Sequence, residues 1–175
     1  MNTEVLKNYY GGQWVSATAD EILPVLNPAT NEIIGQVPLT PPEQVDQVVQ
    51  VARAAFDSWR RTPAADRIQP LFKLKDLLEE NYADVIRVIS TENGKTLGES
   101  GGEIRRPIEN VEVACGIPLM MQSQFSEDIA SGIEEFIIRK TVGAAAIIAR
   151  FNFQGMIEYS YLPYAVATVK TQWIR

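Results

Sequence analysis

Residues 147–175 read IIARFNFQGMIEYSYLPYAVATVKTQWIR, and the way this stretch folds decides the architecture. It opens as an apolar strand and breaks at Asn152 between two phenylalanines. It resumes as a helix from Gly155 to Thr168 and ends in a short second strand, Thr171 to Ile174. Strand, crossover helix and strand make the beginning of a parallel βαβ unit. A unit of that kind standing alone leaves strand edges and a helix face open, so the fold expected is an incomplete α/β domain.

The residues before this stretch supply the rest of the domain. Ala144 to Ala149 reads as a buried, parallel strand, and the apolar run that contains it, Val142 to Ala149, is far too short to cross a membrane. From Gln124 to Lys140 the pattern is extended and turns at Ser131-Gly132, a hairpin reaching into solvent. The segment IRRPIENVEVACGIPLMMQ is helical, with Pro107 expected to kink it or restart it, and the Gly-rich patch Gly98 to Gly102 is expected to precede it. Helical spacing recurs at Ile68, Leu71, Leu74, Leu77 and Leu78 and again from Ala83 to Ile89, closed by Asn93-Gly94. Val45, Val48, Val49, Ala52, Phe56 and Trp59 predict a long amphipathic helix, entered through Thr40-Pro41-Pro42-Glu43 with capping-box spacing. Two hairpins open the chain, one turning at Gly11-Gly12 and one at Asn27 to Asn31. The organisation expected is hairpins and helices over 1–123, a hairpin over 124–142 and the first β-α-β elements over 143–175.

Composition narrows the function classes. The 175 residues are 46% hydrophobic and 22% charged, as in a soluble globular protein, and a net charge of -6 gives no reason to expect nucleic acid or an anionic membrane as partner. The N-terminus, MNTEVLKNYYGGQW, has no apolar core of signal-peptide length, so cytoplasm is the expected compartment. The sequence has no histidine and one cysteine, Cys115, in an apolar helical context that suits a small core residue. No metal site is expected.

The motifs NYYGGQWV, VLNPATNEIIGQVPL, TENGKTLGES, GEIRRPIENVEVACG and FNFQGMI, in this order, resemble the N-terminal part of the aldehyde dehydrogenase superfamily. Within it the chain is most similar to the CoA-acylating methylmalonate-semialdehyde dehydrogenases, from about Lys7 to Arg175. The resemblance implies an aldehyde-dehydrogenase-type, Rossmann-like fold in which 124–142 serves as an oligomerisation hairpin. In that family a cysteine thiolate attacks the aldehyde, hydride passes to NAD and CoA accepts the resulting thioester. It further implies that the side-chain amide of Asn152 is one oxyanion donor, and that Arg106 binds the semialdehyde carboxylate. Ile148, Ala149, Arg150, Phe151 and Arg175 would lie along the NAD. From the residues alone, Asn152 also suits a turn satisfying its own backbone, and Arg106 a surface pair with Glu109 or Glu103.

The family's nucleophile, its general-base glutamate and its later cofactor loop belong to a portion beyond the matched region. Where the family has PFNFP, this chain has Arg150 and Gln154, and it carries Glu158 and Ser160 in the following helix, Val169-Lys170 after it and Gln172 in the last strand. The expectation is a truncated homologue, catalytically silent by itself and prone to self-association through its open edges. The alternatives are one subunit of a split dehydrogenase and a non-catalytic assembly module.

Overall fold

The computed structural model describes residues 4–141, 143–168 and the backbone of 172–174. Strands β1 (Asn8–Tyr10) and β2 (Gln13–Val15) pair antiparallel around Gly11 and Gly12, whose φ of 60° and 78° is the left-handed geometry a two-residue hairpin turn requires. Strands β3 (Ile22–Leu26) and β4 (Ile33–Pro38) form the second hairpin. Its turn is self-contained: Asn27 Oδ1 accepts from Ala29 N at 2.9 Å, and Asn27 O accepts from Asn31 N at 2.8 Å.

Helices α1 (Pro42–Trp59), α2 (Ala64–Arg67), α3 (Gln69–Glu80), α4 (Tyr82–Asn93), α5 (Leu97–Cys115) and α6 (Ile117–Met120) follow. The capping box expected at Thr40 is not formed. The N-cap of α1 is Pro41, and the Thr40 hydroxyl instead accepts a hydrogen bond from Asn8 Nδ2 at 3.0 Å. The Gly-rich patch is not a lead-in loop either, because it lies inside α5. Gly101 packs against α4 so closely that a Cβ there would stand 3.2 Å from Tyr82 Oη, which donates to Gly101 O at 2.8 Å. Helix propensity has yielded to close packing. The helix also continues through Pro107 without a restart, with that ring fully buried.

One face of α5 forms the centre of the core. Ile104, Ile108, Val111 and Ala114 recur at helical spacing and are 0–1% exposed, packed in one cluster with Leu71 and Leu78 of α3, Ile89 of α4 and Ala167 of a later helix, α7 (Met156–Ala167). Each large side chain so buried contributes about 1.5–3 kcal/mol. A second tie is polar. Buried Arg67 donates through Nε to Ala167 O at 3.0 Å and through Nη1 to Thr62 O at 2.6 Å, while Trp59 Nε1 donates to Val166 O at 3.3 Å.

Strands β5 (Gln124–Ala130) and β6 (Ile133–Ile137) make the third hairpin, exposed along its whole length. Strand β7 (Ala145–Ile147) pairs in parallel with β8 (Gln172–Ile174), and α7 (Met156–Ala167) forms the crossover between them. Strand β7 is not the buried strand expected. Ile147 is buried, but Ala146 is exposed and the next residue, Ile148, is 82% exposed, because the sheet has two strands and α7 covers part of it. Among the described residues no helix is long and apolar enough to cross a membrane.

Candidate functional site

The turn from Ile148 to Gly155 joins β7 to α7 and carries Asn152 at its middle. The Asn152 side chain makes no hydrogen bond among the described residues, and its Oδ1 is buried. It therefore does not serve the local backbone, as turn asparagines usually do. Its main chain, by contrast, is held from outside. Lys95 Nζ donates to Asn152 O at 2.6 Å and to Glu103 Oε2 at 2.5 Å, and it lies 4.5 Å from the centre of the Phe153 ring. The other oxygen of Glu103 accepts from Gly155 N at 3.0 Å.

The local sequence explains why these groups converge. Gly94, at φ 75°, closes α4 with its N–H on Ser90 O, and Thr96 opens α5 with a capping box completed by Glu99. Hydrogen bonds from Thr96, the backbone one foremost, hold the Glu99 carboxyl below the usual carboxylate range. Lys95 is the single residue between the two caps, so its origin is fixed at both sides. Glu103 lies about two turns into α5 on the side facing α7, and its side chain is 2% exposed against 19% for Lys95. Gly155 allows the approach of the turn: a Cβ there would stand 2.6 Å from Ile104 Cδ1 and 3.1 Å from Ile89 Cδ1.

The other expected residues are distributed around this point. Arg106 is exposed on α5 and lies 3.5 Å from Glu109 Oε2, so the link from α5 to the turn runs through Glu103 and not through Arg106. Ile148, Arg150 and Phe151 are exposed at the C-terminal end of β7, Ala149 is half-buried, and Arg175 lies outside the described residues. Farther along α5, Asn110 donates to Ser160 Oγ and accepts from Tyr164 Oη, each at 3.3 Å, fastening α5 to α7. Cys115 packs partly buried against the core, and burial pushes its thiol pKa up. It stands twelve residues from Glu103, about 18 Å along the helix, which separates it from the Asn152 turn. No group of three or more metal-ligating side chains occurs among the described residues.

Lys95 and Gly155 drew no functional reading from the sequence, and Glu103 drew none toward the turn. The NGK triplet of Asn93-Gly94-Lys95 marks a helix end, but the partners of Lys95 on the far turn carry no local signature.

A groove of about 1280 Å³ runs between the β1–β2 hairpin, α1 and α7, lined among others by Trp14, Trp59, Glu158 and Tyr159. Burial foremost, then the charge of Glu92, pushes the Glu158 carboxyl up.

Comparison with known proteins follows the same geometry. The profile of the aldehyde dehydrogenase family matches residues 14–174. The chain is 42% identical over 173 residues to the malonate-semialdehyde dehydrogenase of Bacillus cereus strain B4264, covering 98% of this chain and 36% of that protein. The methylmalonate-semialdehyde dehydrogenase of Oceanimonas doudoroffii superposes with a TM-score of 0.92 at 33% identity, over 99% of this chain and 35% of that one. A protein from Sinorhizobium meliloti 1021 assigned the same activity and crystallised with NAD also gives a TM-score of 0.92, at 32% identity over 98% of this chain and 35% of that one. The chain thus spans about a third of the length of the relatives it matches, their N-terminal part.

Proposed function

The chain belongs to the aldehyde dehydrogenase family, and we propose that it supplies the N-terminal part of an NAD-dependent, CoA-acylating dehydrogenase of malonate or methylmalonate semialdehyde. In this reading Asn152 is one of two donors to the oxyanion that forms when a thiolate adds to the aldehyde carbon. The observation that carries the reading is the side chain of Asn152, which no neighbouring backbone group engages although its oxygen is buried. An amide left free on a turn between strand and helix can be aimed at a charge that develops only during reaction.

Arg106 is assigned to the substrate carboxylate. Its guanidinium is exposed and only loosely paired, at 3.5 Å from Glu109, so an anion can displace that contact at little cost. Ile148, Arg150 and Phe151, exposed after β7, lie with the half-buried Ala149 at the C-terminal end of a parallel strand, where nucleotides bind in open α/β sheets. They fit an edge of NAD, which supplies the hydride acceptor. The thiolate and the general base come from outside these 175 residues: Cys115 faces the core, its thiol pKa is raised, and it is remote from the turn.

The test is reconstitution. The 175-residue chain is co-expressed with the complementary C-terminal portion of the Bacillus cereus relative, and NADH and CoA thioester are measured. The chain alone is expected to give neither, and the pair to give both. In the active pair Asn152→Ala is expected to lower turnover about 10²–10³-fold. Arg106→Gln raises KM for the semialdehyde far more than for an uncharged aldehyde. Full turnover by the Asn152 variant would end the oxyanion assignment.

A second reading, an assembly module, draws on the β5–β6 hairpin, where Phe125 and Phe136 stack on each other and remain more than half exposed. It predicts association with or without the complementary portion, and no contribution from Asn152.

A further inference from the structure

The turn bearing Asn152 is weakly held from within: its Phe153 N–H reaches Arg150 O only at 3.5 Å. What fixes it is a buried ion pair from another part of the chain. We propose that Lys95 and Glu103 are positioning residues for Asn152, an inference that rests on reading that residue as the oxyanion donor.

The pair grips the turn at two points on opposite sides of Phe153. Lys95 binds the carbonyl of Asn152, and Glu103 binds the N–H of Gly155, so residues 152–155 are spanned by a charge-assisted bond at each end. The two grips are tied to each other by the Lys95–Glu103 contact, and the Phe153 ring closes over the ammonium. Fixing the carbonyl of Asn152 fixes its peptide plane, and with it the direction in which the Cα–Cβ bond sends the side-chain amide. Neither residue needs to reach substrate. The origin of Lys95 between two helix caps and the burial of Glu103 make the clamp rigid before any ligand arrives.

The experiment compares the 175-residue chain with Lys95→Met, Lys95→Arg and Glu103→Gln by residue-resolved amide hydrogen exchange. Lys95→Met is expected to raise exchange at Phe153 and Gly155 by about tenfold or more, with Ile104 and Ile108 unchanged. Lys95→Arg, whose guanidinium can still donate to both the carbonyl and the carboxylate, is expected to restore protection. Unchanged exchange at the turn, an equal rise through α5 and α7, or no rescue by arginine would overturn the proposal. Should Lys95→Met fail to fold, Glu103→Gln decides: it keeps an oxygen for Gly155 N–H but no charge for Lys95. Exchange should then rise at Phe153 and stay slow at Gly155, and equal loss at both would refute the clamp.

In the reconstituted dehydrogenase, Lys95→Met is expected to lower kcat with KM for the aldehyde unchanged, and a rise in KM alone would count against positioning. An Asn152→Ala variant with normal turnover would remove the oxyanion reading while leaving the exchange result standing, so the two failures are distinguishable.

Discussion

Helix α5 and the β5–β6 hairpin both carry regularly spaced apolar side chains, and they treat them in opposite ways. On α5, Ile104, Ile108 and Val111 are sealed against α3, α4 and α7. On the hairpin, Phe125, Ile129, Ile133 and Phe136 stay in water, with Phe125 opposite Phe136 and Ile133 opposite Ala130. The difference lies in where the covering surface comes from. The α5 stripe finds its partners within the chain itself, on α3 and α4 just before it and on α7 beyond the hairpin. A two-stranded ribbon has two faces and no helix of its own to cover either. The buried apolar residues on α5 therefore report stability of this chain, and those on the hairpin contribute little to it.

Mutations can break that contrast or sharpen it. The largest effect is expected at the centre of α5, where Ile104→Ala should lower unfolding free energy by about 2–5 kcal/mol in urea melts. If the loss were as small as that of a surface change, α5 would not be the core. Next, Gly155→Ala pushes a methyl into Ile104 and Ile89 and is expected to cost about 1–3 kcal/mol. Adding Ile104→Val, which removes the Cδ1 in the way, should recover part of it, and strict additivity would mean that the close approach is not the cause.

A smaller effect, and of opposite sign, is expected at Glu158. Its carboxyl pKa is raised in the folded chain, so the native state holds the proton more tightly than the unfolded one. Stability then falls as pH climbs from the ordinary carboxylate value, about 4.3, through the raised one. Glu158→Gln should raise the urea midpoint at pH 7 and leave it unchanged below about pH 4. The smallest change in stability, within about 0.5 kcal/mol, is expected for Phe136→Ser on the hairpin. The same variant should shift light-scattering mass toward the monomer. A stability loss comparable to that of Ile104→Ala would erase the distinction between the two regions.

The parts of the fold that the sequence disclosed are those whose cause is local. The turn at Asn27 to Asn31 and the helix end at Gly94 each satisfy their own backbone groups within a few residues, and both were legible. The start of α5 was misread because Gly101 is selected by contact with Tyr82, a residue on another helix. The exposure of β7 was misread because an apolar run records composition and not the number of strands beside it. At the candidate site, Asn152 and Arg106 were picked out through motif resemblance. Lys95 and Glu103 stayed silent, since their partners on the turn lie 57 and 52 residues away and a buried ion pair has no periodicity to betray it.

The bonds from Trp59 and Arg67 to the end of α7 also have a meaning in time. They join residues 107 and 100 positions apart. At a synthesis rate of about 5–20 residues per second, roughly 5–20 s separate the appearance of Arg67 from that of the carbonyl it binds. During that interval the guanidinium faces water, the nearby Thr62 carbonyl and, once it is made, Met121 Sδ. The first helices of the chain are then made long before the clasp that completes them, and any segment that arrives late, from this chain or another, meets a docking surface still open.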